Sequence, residues 1–206
     1  MITKSSKLMV LMLALTGSLL VSPTLTLQPA VAKADASAIQ VTEEQIDHKP
    51  FQVTHVLVKT RPDQVWQVLT DYNSAPAIFP TLKKCRVLSD KGQTKVIHYQ
   101  IKPTGSITSF EYDLEMKETP QKSLEWRRVG GDFKDVEGYW KLEPVDCGRS
   151  TMVTYATYCN GGVFLPQALI KRQSRIDLPQ VMTALKVHAE TTTQIAATRA
   201  PRSPNN

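Results

Sequence analysis

The chain has 206 residues, 41% of them hydrophobic, and a formal net charge of +6, which suits one domain with a sizeable core. Its basic residues fall in scattered pairs (Lys83-Lys84, Arg127-Arg128, Lys171-Arg172), so no nucleic-acid partner is expected, while transient contact with an anionic membrane surface fits the charge. Three cysteines with no C-x-x-C and no zinc-type His/Cys spacing exclude a disulfide scaffold and a metal site.

Lys4 and Lys7 precede an uncharged apolar run from Leu8 to Val21, and a small-residue cluster, Ala30-Val31-Ala32, follows. A basic start, a short apolar core and an A-x-A site describe a signal peptide over residues 1–32. The run is shorter than the roughly 20 residues of a membrane span, although a retained anchor stays open. The mature domain is therefore expected in a periplasm, cell envelope or organelle lumen. Residues 33–49 read as a linker, and the domain as 50–196.

The first strand is expected at Phe51–Lys59, where Val53, Val56 and Val58 give a β-branched run. Arg61-Pro62 ends it. Proline suits the first turn of a helix, Thr60 is placed to cap it, and Asp63 sits at its positive end. Val65, Trp66, Val68 and Leu69 then form an apolar stripe, Ala77-Ile78-Phe79 makes one more short turn, and Pro80 stops it. Two small helices are thus expected between the first strand and the second.

Six further strands follow, at Lys84–Asp90, Gln93–Lys102, Ile107–Lys117, Leu124–Val129, Val136–Pro144 and Thr151–Cys159, separated by Gly-, Pro- and Asp-bearing turns. Ile97, Tyr99 and Ile101 share one side of their strand. So do Phe110, Tyr112, Leu114 and Met116, then Leu124, Trp126 and Arg128, and then Val136, Gly138, Trp140 and Leu142. One apolar face of this regularity belongs to an antiparallel sheet with its other face on solvent. The last strand, TMVTYATYC, does not alternate cleanly, and its faces stay unassigned.

A long C-terminal helix is expected to cover that face, with Leu169, Ile176, Val181, Met182, Leu185 and Ala189 on its stripe and Pro179 kinking or splitting it. Residues 197–206 have no periodicity and read as a disordered tail. In an oxidising compartment one pair of cysteines closes, with Cys85 and Cys147 approaching the same end of the sheet, or Cys85, Cys147 and Cys159 all stay buried free thiols.

This order, with Arg61 to Tyr72 (RPDQVWQVLTDY), Phe79-Pro80, Gly138 to Pro144 (GYWKLEP) and Leu178-Pro179, resembles the START/Bet v 1-like (SRPBCC) superfamily. It is most similar to the polyketide cyclase/dehydrase branch, which includes coenzyme-Q-binding START proteins. The resemblance implies an α+β helix-grip fold: a seven-stranded antiparallel sheet wrapped around a long C-terminal helix, with two short helices between strands 1 and 2. It also implies an apolar cavity for a hydrophobic small molecule. Trp66, Asp71 and Pro80 are fold-keeping positions in that frame.

The residues expected to line such a cavity are Tyr99, Phe110, Tyr112, Trp126, Trp140, Met182 and Leu185, with Arg128 as the one inward charge. An arginine on a buried face needs a partner, whether an acidic residue, the cavity mouth or a ligand's polar head. His98 faces solvent on the alternation, His48 precedes the domain, and His55 and His188 carry no assignment. The chain has no G-x-S-x-G, phosphate loop or metal cluster, so no catalytic residue and no cofactor is named. The leading expectation is an exported binding protein that transports or sequesters a lipid, quinone or other isoprenoid. A polyketide cyclase/dehydrase-type enzyme and a non-catalytic interaction module with a packed cavity are the alternatives.

Overall fold

The computed structural model describes residues 39–199, so the signal-peptide expectation and the last seven residues lie outside the described residues. Two strands open the fold, β1 (Val41–Ile46) and β2 (Lys49–Val58), in antiparallel register from Ile46 opposite Lys49 to Val41 opposite Thr54. Asp47 and His48 connect them with φ of 48° and 62°, the positive pair that a two-residue hairpin turn of right-handed twist requires. The stretch read as a linker thus holds a strand. The sequence VTEEQI hides it because four of its six residues are solvent-exposed, as an edge strand allows.

Helix α1 (Pro62–Thr70) begins at its proline as expected, and Asp63 pairs with Arg61 at 3.0 Å. Thr60 is not the cap. Arg61 holds that position without a side-chain bond, while the Thr60 hydroxyl lies 2.6 Å from that of Thr193 and its carbonyl accepts from Thr151 at 2.8 Å. Asp71 closes the corner by accepting the Ser74 N–H at 3.1 Å, and α2 (Ala75–Ile78) follows. The hydrogen bond from Ser74 holds the Asp71 carboxyl below its usual range.

Six strands then run as a meander: β3 (Leu82–Lys91), β4 (Thr94–Ile101), β5 (Phe110–Thr119), β6 (Ser123–Gly131), β7 (Asp135–Val145) and β8 (Ser150–Asn160). Strand β5 starts three residues later than expected, because 107–109 belong to the preceding loop. The sheet has eight antiparallel strands, not seven, in the order β1-β2-β8-β7-β6-β5-β4-β3. The inward residues fall as the alternation requires, with Ile97, Leu114, Met116, Leu124, Val136 and Leu142 all buried.

Helix α3 (Gln167–Arg199) lies across this face as one 33-residue helix that passes through Pro179 without splitting. The turn that Pro179 disturbs, at Arg175-Ile176, is solvent-exposed, so water can serve the freed carbonyl. The buried stripe is Leu178, Met182, Leu185 and Ala189, and each large side chain there stabilises by roughly 1.5–3 kcal/mol. Leu169 and Ile176 are 48% and 42% exposed, so the N-terminal third of the helix does not share the stripe. Because α3 continues to Arg199, residues 197–199 are helical rather than tail.

The ends of α3 are tied differently. Lys171 bonds Glu43 of β1 at 3.0 Å and, with Gln52, holds that carboxyl below its usual value. Lys186 donates to the Leu57 carbonyl at 2.7 Å, and Glu190 accepts the Lys59 N–H at 2.6 Å. All three cysteines are free, Cys85 buried and Cys147 exposed. The Cys85–Cys147 pairing fails because β4, β5 and β6 separate β3 from β7, about 4.8 Å per strand.

Candidate functional site

Between the sheet and the N-terminal third of α3 lies a cavity of about 420 Å³, within the range of small-molecule sites. Its floor is Phe110, Tyr112, Val136 and Tyr155, its roof Leu165, Leu169 and Leu178, and its sides Phe133 and Cys159. Two strings of rings build the walls. On one, Phe110 and Tyr112 each meet Phe133 at 5.2 Å, and Tyr99 stacks on Tyr112 at 5.9 Å. On the other, Tyr155 meets Trp140 at 4.3 Å and Trp126 at 5.4 Å.

The β4–β5 loop, with Pro103, Thr104, Gly105 and Ser106 on the cavity, is clasped to α3. The Thr104 N–H donates to Asp177 at 3.1 Å, and Gln173 donates both to the Thr104 carbonyl at 3.1 Å and to Asp177 at 3.0 Å. Two aliphatic side chains stand out in solvent beside the same loops. Ile107 is 97% exposed, and Val163, in the turn between β8 and α3, is 88% exposed.

Of the residues named from the sequence, Phe110 and Tyr112 line the cavity. Tyr99, Trp126 and Trp140 stand behind the lining rings. Met182 and Leu185 are fully buried further along α3, in the packed half of the core. Arg128 is not on the lining: one of its Nη atoms donates to the Gly131 carbonyl at 2.8 Å, and its Nε is buried without a partner. It stands in register opposite Leu114, beside a register shift between β5 and β6, and its guanidinium reaches back to the end of its own strand. Sequence reasoning missed Phe133, which sits in a loop, and Tyr155, Thr157 and Cys159 on the unassigned strand. That strand lost its alternation because its outward residues Ala156 and Tyr158 also pack, against Phe51, Val53 and Tyr139.

The lining is short of groups for proton transfer. Asp177 is its one carboxylate, and the clasp engages it. Burial pushes the Cys159 thiol up to about 12 and the Tyr155 hydroxyl up to about 12, so both stay protonated at neutral pH. The histidines lie elsewhere: His55 bonds Thr154 at 2.9 Å, His98 bonds Asp113 at 2.8 Å, and His188 is exposed. Among the described residues no group of His, Cys, Asp and Glu is placed to hold a metal ion.

A sequence profile for the family described as polyketide cyclase / dehydrase and lipid transport matches residues 58–186. Among solved structures, the chain is similar to the Zhui aromatase/cyclase from Streptomyces sp. R1128, with TM-score 0.62 and 17% identity over 71% of this chain and 96% of that one. It is similar to a STAR-related lipid transfer protein fragment from Xanthomonas axonopodis, with TM-score 0.61 and 17% identity over 75% and 95% of the two chains. A START superfamily protein from Mycobacterium smegmatis gives TM-score 0.61 and 16% identity over 69% and 98%. No curated protein sequence matches the chain significantly.

Proposed function

Since the chain belongs to the polyketide cyclase/dehydrase and lipid transport family, we propose that its domain is a carrier that holds a hydrophobic small molecule between sheet and helix. The observation that carries this reading is the aromatic cavity of about 420 Å³ closed by a hydrogen-bonded loop. Affinity comes from apolar area removed from water, at roughly 25 cal/mol per Å². Release requires only the Thr104 clasp to open. Its two bonds between loop and helix are on exposed groups, each with a net contribution of about 1 kcal/mol.

Carrier function is favoured over cyclase or dehydrase chemistry because such reactions move protons. The lining offers one engaged carboxylate and hydroxyl and thiol groups held protonated, whereas a general base works best near the operating pH. The exposed Ile107 and Val163 beside the mouth suit a transient contact with a lipid surface, where the ligand enters and leaves. The basic, then apolar, then small-residue pattern of residues 1–32 supports export of the domain.

The test is transfer of a pyrene-labelled fatty alcohol between phosphatidylcholine vesicles. A catalytic amount of the purified protein should raise the transfer rate in proportion to its concentration. A rate that stays at the spontaneous value counts against a carrier.

A further inference from the structure

The Tyr112 hydroxyl makes no hydrogen bond among the described residues, and the half-buried Tyr112 lines the cavity. Beside it, Thr157 lies next to the Tyr155 hydroxyl and itself donates to the Glu137 carbonyl at 3.4 Å. The Tyr112 O–H is free to donate to whatever occupies the cavity, so a ligand oxygen placed there can take the place of a water.

Charge narrows what that atom is. Among the described residues no lysine or arginine lines the cavity, and Arg128 is turned onto the Gly131 carbonyl. An anion entering here loses its hydration and meets no ion-pair partner on the lining, and Asp177 at the mouth repels it besides. A cation fares no better at the inner end, where the lining is rings, aliphatic groups, hydroxyls and a protonated thiol.

We propose that the cavity takes a neutral, largely apolar molecule whose carbonyl-type oxygen accepts a hydrogen bond from the Tyr112 hydroxyl at the inner end. The rest of the molecule runs along Phe110, Phe133 and Leu165 toward the clasped loop. Ionised fatty acids and the headgroups of anionic phospholipids are excluded from the interior. This rests on the carrier reading above and adds the class of ligand.

The test uses the full chain and three probes of equal length: 2-tridecanone, tridecane and tridecanoate at pH 8, with binding read by native mass spectrometry and tryptophan fluorescence. The ketone should bind most tightly, and Tyr112→Phe should weaken it by about 3- to 10-fold, the worth of one neutral hydrogen bond, while leaving tridecane unchanged. An unaltered circular dichroism spectrum and urea midpoint establish that Tyr112→Phe is folded. Equal binding of ketone and alkane, an equal loss of both in Tyr112→Phe, or tightest binding of tridecanoate overturns the oxygen site and leaves the cavity standing. If none of the three binds, the cavity reading falls and this proposal falls with it.

Discussion

Trp126 lies flat over Gly138 on the neighbouring strand: a Cβ built at residue 138 would sit 2.5 Å from the indole Cζ2 and 2.3 Å from the Ala156 carbonyl. The glycine leaves the strand without a side chain at a register position directly opposite Trp126, and the indole fills the gap. In that position it backs Tyr155, so one missing methyl group sets the depth of the cavity floor.

Gly138→Ala is therefore expected to destabilise by about 1–3 kcal/mol through overpacking, and to weaken ligand binding by displacing Trp126 and Tyr155. Urea unfolding and the fluorescence of the three tryptophans check both. An unchanged midpoint with unchanged fluorescence contradicts the packing account.

The clasp sets exchange kinetics. Replacing Gln173 by Ala removes bonds to both the Thr104 carbonyl and Asp177, so the β4–β5 loop opens more often. Dissociation of a bound probe should speed by roughly 5- to 10-fold, about 1 kcal/mol, with a smaller change in the unfolding midpoint. A stopped-flow rate equal to that of the unaltered protein would rule the clasp out as a gate.

Contact with a lipid surface is assigned to Ile107 and Val163. Replacing both by Asp should reduce transfer between vesicles while ligand affinity in solution stays the same, because neither side chain is on the lining. Loss of both properties together would mean that the double variant disturbs the cavity instead.

Stability should fall on the alkaline side. Burial raises the Cys85 thiol from 9.0 to about 11, the Cys159 thiol from 9.0 to about 12 and the Tyr155 hydroxyl from 10.0 to about 12; the Tyr99 hydroxyl beside Cys85 works against part of its rise. The folded state keeps these protons after the unfolded chain has released them, so unfolding releases protons and rising pH favours it. The contribution is complete below pH 9 and is lost between about pH 9 and 12. Urea midpoints measured across that window should decline, and a flat profile contradicts the burial of these groups.

Much of the fold was legible in the chain because its signals are local. Pro62 and Pro80 bracket the short helices, and the period-two pattern of residues 97–142 identifies the inward face. What escaped was set by neighbours distant in sequence. Strand β1 is polar because it is an edge, and only its pairing with β2 reveals it. Strand β8 looked patternless because both of its faces pack. The inward face was readable, but not which part of it stays open: Met182 and Leu185 share a helix with the cavity-lining Leu178 and are sealed. Arg128 points inward by parity, but its guanidinium is spent on the Gly131 carbonyl of its own strand.

The space under the N-terminal third of α3 is proposed to hold a ligand. Ser174 lines it from α3 and is half-buried near the mouth, so Ser174→Trp fills the space at little cost to the fold. Native mass spectrometry of the purified full chain should show one bound molecule per protein, absent from Ser174→Trp although that variant keeps its circular dichroism spectrum. A bound molecule retained undiminished by Ser174→Trp, or none on either protein after incubation with a total lipid extract, contradicts the account.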